Sequence, residues 1–330
     1  MVQIVRWSIR YDMRMPDLGG RSRAAQYAAA LEQIAWADRH GRPTVFIPEH
    51  HGTSDGYLPS PLTMSAATAA CTSRATILPC LVPTLRDPFA VAEDLAVLDL
   101  ISGGRTEVLL VAGYLRREFA MFGVEFDKRG SIFEDKIAVI RRLLTGDTVT
   151  YQGRTGQITP LPVQRPPKMI LGGSSLASAR RAAVLGDGYW PAVSAPRLQQ
   201  IYLTLCDQAG RRAGFIPPPT IQAIFVAEDP EREWTRIGPS VLHDMNEYRK
   251  YSASTPGASL YAHQTLDTIA DVRKTGMYLV VTPAECVELA MSLLPEQGLP
   301  LHPLIGGLDP DIGWSSLELF ANRVLPELGE

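Results

Sequence analysis

Three titratable side chains, Glu49, His50 and His51, follow the short apolar run Val45-Phe46-Ile47-Pro48 and precede Gly52. A buried strand that delivers such groups at its carboxyl end is the way an α/β barrel presents chemistry. Histidine suits proton transfer because its ordinary pKa lies closest to working pH. Three readings fit the pattern: an acid–base group, a metal ligand set drawn from Glu49, His50, His51 and Asp55, or a loop whose histidines only hydrogen-bond to backbone. Adjacent histidines in an extended segment point to opposite faces, which works against both reaching one ion. The spacing is also not the helical H-E-x-x-H type. A second stretch, Gly172-Gly173-Ser174-Ser175, stands at a predicted strand–helix junction. Glycines admit close backbone approach, and a helix N-terminus with serine hydroxyls offers donors to a phosphate. The same residues also make an ordinary serine-capped turn. A third stretch, Ala112-Gly113-Tyr114, follows the apolar run Val108-Leu109-Leu110-Val111. Its glycine either lets a flat ring lie against the backbone or simply turns the chain.

The elements that must hold these residues alternate. Strands are predicted at residues 4–9, 44–47, 75–84, 108–111, 168–171, 188–190, 220–227 and 301–305. Helices are predicted at 22–40, 61–73, 88–102, 131–144, 175–185, 197–213, 283–294 and 315–325. Ser22 and the pair Asp87-Pro88 are start signals, while Gly41, Gly103 and Gly146 are stops. Residues 148–154 alternate like an exposed hairpin. Eight strands each followed by a helix imply an α/β fold, a single (β/α)8 TIM barrel over residues 1–330. Its largest insertion, residues 228–282, precedes the eighth strand. That insertion reads as irregular with short helices and a break at Pro256-Gly257, and it is expected to cover the barrel mouth.

Bulk properties remove several classes. Lys plus Arg number 32 and Asp plus Glu 35, a net charge of −3. This mildly acidic balance, without a basic run, gives no support to nucleic-acid or membrane-surface binding. The cysteines Cys71, Cys80, Cys206 and Cys286 form no C-x-x-C pair, the pattern of reduced thiols. No signal-peptide pattern or spanning apolar run stands out, so the expected location is cytoplasmic. No G-x-S-x-G elbow occurs, and no dinucleotide fingerprint follows a predicted strand.

Several short motifs, in order, make the chain resemble the bacterial luciferase-like family of flavin-dependent oxidoreductases. They are Glu49-His50-His51, Leu98-x-x-Ile101-Ser102-Gly103-Gly104-Arg105 and Gly113-Tyr114-Leu115-Arg116-Arg117-Glu118-Phe119 running through Phe122-Gly123 to Arg129. Leu143-Leu144-Thr145-Gly146, Val149 to Gly153, Gly172-Gly173-Ser174 and Gly186-Asp187-Gly188-Tyr189 follow. The resemblance implies a TIM barrel that binds FMN or, in some branches, F420. It implies an isoalloxazine ring against the third and fourth strands, near Ala112, Gly113 and Tyr114, and a phosphate at Gly173, Ser174, Ser175 and Ser178. It makes His50 the acid–base group with Glu49 as support, and His51 an outer partner. Thr84, Tyr114 and Arg10 are assigned as pocket contacts. The luciferases proper carry an arginine where this chain has Ala112 and a cysteine where it has Val111. Light emission from a long-chain aldehyde is therefore not expected, and the phosphate charge must be met elsewhere, by Arg116 or by backbone groups and serines alone.

The expected function is a reduced-FMN-dependent monooxygenase. It would insert one oxygen of O2 into a small, largely apolar substrate through a flavin hydroperoxide, with reduced flavin delivered by a separate reductase. A homodimer is expected from the resemblance. Three alternatives stay open: an F420-dependent hydride-transfer oxidoreductase, a metal-dependent barrel hydrolase using Glu49, His50 and Asp55, and a non-catalytic flavin-binding barrel.

Overall fold

The apolar runs become parallel strands, each buried because helices follow on from it. A computed structural model describes residues 6–16, 21–254, 266–293 and 297–329. Its strands are β1 (Arg6–Arg10), β2 (Thr44–Ile47), β3 (Thr76–Leu81), β4 (Glu107–Leu110), β5 (Val149–Tyr151), β6 (Arg154–Gly156), β7 (Lys168–Gly172), β8 (Gly188–Trp190), β9 (Ala223–Val226), β10 (Tyr278–Val281) and β11 (Gly298–Leu301). The chain packs as two units, one of residues 1–59, 71–75 and 219–330, the other of 60–70 and 76–218.

In the first unit five parallel strands run in the order β10-β9-β11-β1-β2. The N-terminal strand therefore pairs with the C-terminal one, Arg6 opposite Gly298 and Ile9 opposite Leu301. Helix Arg23–His40 begins where expected, with the Ser22 hydroxyl accepting the Ala25 N–H at 3.0 Å. In the second unit four parallel strands run β3-β4-β7-β8, and β5 and β6 form the expected antiparallel hairpin. Helix Pro88–Ser102 starts with Asp87 accepting the Phe89 N–H and ends at Gly103, whose φ of 66° suits glycine.

The insertion is where expectation and structure part. Residues 230–254 are not irregular but form one helix, Pro230–Ser254. Its buried face, Trp234, Ile237, Val241 and Met245, recurs at helical spacing and packs with Phe225, Tyr278 and Ile305 in the first unit's core. Gly238-Pro239 and the dense charge hide that period. Gly238 is explained by close packing, since a Cβ there would stand 2.7 Å from Ile269 Cδ1. Helix Ile269–Lys274 and strand β10 complete the segment, and β10 is a ninth parallel strand among the described residues. The Pro256-Gly257 break lies outside the described residues. The last strand is Gly298–Leu301 rather than 301–305: Pro303 lacks an N–H for a ladder, and Gly306 and Gly307 turn the chain at φ 54° and 78°.

One carboxylate fixes the approach to β3. Asp38 accepts the N–H groups of Ser73 (2.8 Å), Arg74 (2.8 Å) and Ala75 (2.7 Å) and the Ser73 hydroxyl (3.0 Å). Asp38→Ala leaves these donors without an acceptor, and we expect a loss of about 3 kcal/mol. Urea unfolding of the variant beside the wild type measures it. A loss under about 0.5 kcal/mol would show that water satisfies those groups equally well.

Candidate functional site

In the first unit, β2 ends at Ile47 and delivers Glu49, His50 and His51, all buried. The Glu49 carboxylate oxygen Oε1 lies 2.8 Å from His51 Nε2, as residues two apart in extended chain allow. The His50 backbone N–H donates to the Leu58 carbonyl at 3.2 Å. Its imidazole meets the edge of Tyr57, centroids 4.8 Å apart, and the ring of Tyr251 at 5.0 Å. Tyr248 stands 6.2 Å away. His50 therefore sits in an aromatic cage.

A buried charge cluster holds that cage. Arg14, with 0% of its side chain exposed, pairs with Asp55 and lies 3.2 Å from Asp244 and 4.0 Å from Asp12. Its guanidinium stacks over Tyr57 (4.6 Å), Tyr248 (4.9 Å) and Tyr251 (5.4 Å). His243 Nε2 meets Asp55 at 3.0 Å, His302 Nε2 lies 3.4 Å from Asp12, and the Tyr278 hydroxyl donates to Asp244 at 2.9 Å. Burial alone would raise the Asp55 carboxyl. The hydrogen bond from His243 and the charge of Arg14 outweigh it and hold that carboxyl well below the usual range. Asp12 behaves alike, burial being outweighed by His302. Burial pushes the Tyr57 and Tyr248 phenols up, so both stay protonated.

Sequence reasoning missed most of this cluster. Of its members the sequence marks only Arg10, as a pocket contact, and Asp55, as a metal-ligand candidate. The signals were present: Arg10, Asp12 and Arg14 alternate at period two, and Asp244, Tyr248 and Tyr251 recur at helical spacing. Among the described residues, no group of three or more His, Cys, Asp or Glu could hold a metal ion. Asp55, the ligand a metal hydrolase would need, is bound to Arg14 and His243.

The second unit places the other expected residues. Gly113 has φ 81°, and a Cβ there would meet Val82 Cγ1 at 2.8 Å and Phe119 Cε2 at 2.9 Å, so only glycine fits. The Thr84 hydroxyl donates to the Ala112 carbonyl at 3.0 Å and ties the β3 and β4 exits together. Lys136 Nζ donates to the carbonyls of Thr84 (2.8 Å) and Arg86 (2.6 Å), a support with no sequence signal. Tyr114, next in the chain, is half-buried.

After β7, Gly173 has φ 127°, and a Cβ would stand 2.9 Å from Ser178 Cβ. Ser175 and Ser178 form a reciprocal cap on helix Leu176–Leu185: Ser175 Oγ accepts the Ser178 N–H at 3.1 Å, and Ser178 Oγ accepts the Ser175 N–H at 2.9 Å. Ser178 then donates its hydroxyl to the Ser175 carbonyl, which turns it inward. Ser174 Oγ accepts from Ala192 N–H at 3.0 Å and keeps its own hydrogen to give. The N–H groups of Leu176 and Ala177 have no intrahelical acceptor. This donor set and the bare Gly173 cradle fit a phosphate. Arg116 is not aimed there: it pairs with Asp127 at 3.1 Å and lies 4.2 Å over the Phe126 ring.

The family model for luciferase-like monooxygenases matches residues 13–293. The chain belongs to that family. An FMNH2-dependent dimethylsulfone monooxygenase of Pseudomonas putida is 25% identical over 311 residues, covering 87% of this chain and 80% of its own. A match to the uncharacterized protein y4vJ of Sinorhizobium fredii, 30% identical over 169 residues, spans only 48% of each chain. Among solved structures, monooxygenase RslO1 of Streptomyces bottropensis has a TM-score of 0.79 at 22% identity, covering 97% of this chain and 99% of that one. The oxygenating constituent of 3,6-diketocamphane monooxygenase of Pseudomonas putida, in complex with FMN, has a TM-score of 0.73 at 16% identity, with 98% of each covered. An F420-dependent secondary alcohol dehydrogenase reaches 0.70 at 16%, with 99% of each covered. At these identities the structural likeness shows the fold alone, which is the expected α/β barrel. No helix among the described residues is long and apolar enough to cross a membrane.

The Arg14–Asp55 pair has a pH signature. The Asp55 carboxyl titrates near 3.8 when unfolded and lower when folded, so its contribution is full above about pH 4 and is lost as pH falls below that. Asp55→Asn should cost about 3 kcal/mol at pH 7, and the gap to wild type should narrow steadily as pH falls below about 4. Denaturant titrations across that range measure it. A gap independent of pH would remove the charge of Asp55 from the account.

Proposed function

We propose that this chain is a reduced-FMN-dependent monooxygenase that puts one atom of O2 into a small organic substrate, with reduced flavin delivered by a separate reductase. One observation carries the reading. The histidine at the end of β2 is held against an aromatic cage in a chain of the luciferase-like family. The 25%-identical relative named as FMNH2-dependent supports the choice of cofactor.

In this proposal the Ser174 and Ser175 hydroxyls and the N–H groups of Leu176 and Ala177 take the flavin phosphate, while Ser178 sets the cap that aims them. The backbone of Ala112 and Gly113, fastened by Thr84, receives the flat ring beside Tyr114. Reduced flavin, when bound, supplies the electrons that activate O2. His50 holds or releases the proton the reaction needs, and Tyr57 and Tyr251 keep water from its ring. Glu49 fixes His51 beside it. A single domain acting as a homodimer completes the proposal.

Absorbance and fluorescence titration with FMN, reduced FMN and F420 tests the cofactor. Saturable binding of reduced FMN with O2 uptake is expected, and binding of F420 without either FMN form would overturn the reading. His50→Gln should lower turnover about 100-fold or more while changing FMN affinity less than about twofold. Unchanged turnover would remove His50 from the mechanism.

A further inference from the structure

A buried phenol decides which way the backbone faces after β7. The Tyr189 hydroxyl stands 2.7 Å from the Gly173 carbonyl oxygen. A carbonyl has no hydrogen to give, so the phenol donates and its one hydrogen is committed there. The peptide between Gly173 and Ser174 is trans, because the cis bonds among the described residues are Thr159-Pro160 and Arg165-Pro166. In a trans peptide the C=O and the following N–H point in opposite directions. Holding the carbonyl on the phenol therefore turns the Ser174 N–H away from it. Among the described residues that N–H has no hydrogen-bond acceptor.

The phenol is firmly held. Tyr189 is fully buried in β8, and its ring packs against Tyr202 and Phe215 with centroids 5.3 and 6.1 Å away. Its N–H donates to the Gly214 carbonyl, and its carbonyl accepts from the Ile216 N–H, both at 2.9 Å. In the sheet it stands opposite Leu171 of β7, two residues before Gly173. Ser178 Oγ lies 3.5 Å from the phenol, but its hydrogen goes to the Ser175 carbonyl at 2.7 Å. The inward-facing hydrogens are thus all committed to carbonyls of the turn. Without the phenol's donor the Gly173 carbonyl would face a wall of rings unmatched, which is costly. Glycine has the freedom to turn that peptide over. A turned peptide would present a carbonyl oxygen where the Ser174 N–H had been.

We propose that Tyr189 is a positioning residue for the phosphate cradle: by holding the Gly173 carbonyl it presents the Ser174 N–H to the flavin phosphate, alongside the N–H groups of Leu176 and Ala177. Tyr189 itself touches no cofactor and acts through that one peptide. With Arg116 engaged by Asp127, no arginine side chain masks the loss of a single amide donor. A hydrogen bond to a charged acceptor is of the stronger kind, so a peptide that turns over exchanges attraction for repulsion. The inference rests on the flavin reading for the phosphate it names.

Anaerobic calorimetric titration of the full chain with reduced FMN and reduced riboflavin tests it, since the two differ only in the phosphate. Wild type should bind FMN at least about tenfold tighter than riboflavin. Tyr189→Phe, which keeps the ring, should weaken FMN about tenfold and riboflavin less than about twofold. Tyr202→Phe removes a neighbouring buried hydroxyl, one that accepts the Gly214 N–H at 3.0 Å, and should leave the FMN-to-riboflavin ratio unchanged. Circular dichroism checks that each variant is folded. A second readout uses wild type isotope-labelled at serine nitrogen, with the Ser174 amide signal identified by its loss in Ser174→Ala. That signal should move on adding FMN and hold still on adding riboflavin, and it decides the matter if Tyr189→Phe does not fold. A wild-type ratio in folded Tyr189→Phe, an equal loss in Tyr202→Phe, or a Ser174 amide that answers both flavins alike would overturn the proposal and leave the flavin reading standing. FMN bound no tighter than riboflavin would overturn it too. Binding of neither flavin would overturn the flavin reading along with it.

Discussion

Burying the Arg14 guanidinium costs several kcal/mol even after the surroundings relax, and the first unit is arranged to recover that cost. The compensating groups come from far apart in the chain. Asp12 follows β1, Asp55 and Tyr57 follow β2, and Asp244, Tyr248 and Tyr251 lie on helix Pro230–Ser254. Tyr278 of β10 and His302 after β11 hold the carboxylates from behind. One cation thus ties the N-terminal segment, the β2 exit and the long helix together. Removing it would leave Asp12, Asp55 and Asp244 buried without their shared cation, the costly way to break a buried ion pair. The same rings that stack on Arg14 face His50, and the position of the acid–base candidate is therefore set by the charge cluster beneath it.

Much of the fold was legible because it follows from local rules. Continuous apolar runs marked β4 and β7, Ser22 and Asp87 marked helix starts, and Gly103 and Gly146 marked stops. What failed was the segment where local signals disagree. Gly238 and Pro239 are breakers by propensity, yet Trp234, Ile237, Val241 and Met245 bury one face and the helix runs through them. Tertiary burial outweighs a propensity cost of about 1 kcal/mol for glycine and about 3 for proline. Strand β10 was lost inside the same misreading.

The site was legible where sequence neighbours carry it and illegible where the fold assembles it. Glu49, His50 and His51 are consecutive, and Gly172 to Ser175 are consecutive, so both stretches stood out. Arg14 and Asp244 are separated by more than two hundred residues, and no spacing rule links them. A period-two pattern of Arg10, Asp12 and Arg14 shows a charged face, but it does not show whether that face meets water or the interior. Only the contact with Tyr57, Tyr248 and Tyr251 decides that it is interior.

The second unit poses a different electrostatic question, because Ala112 stands where luciferases place an arginine. Arg116 does not fill the role: it shares the Phe126 ring with Arg129, at 4.2 and 4.0 Å, and Asp127 takes its charge. On the proposed reading the phosphate would then rest on hydroxyls, backbone N–H groups and the end of helix Leu176–Leu185. A helix end contributes about 0.3–1 kcal/mol to an anion, up to about 2 when partly buried. A hydrogen bond to a charged group such as arginine contributes about 1.5–3 kcal/mol. The deficit is about tenfold in affinity for each kcal/mol and a half, so the cofactor would be held loosely. Loose holding suits a flavin that arrives reduced from another protein and must leave once oxidised, and it is the opposite of what a resident prosthetic group requires.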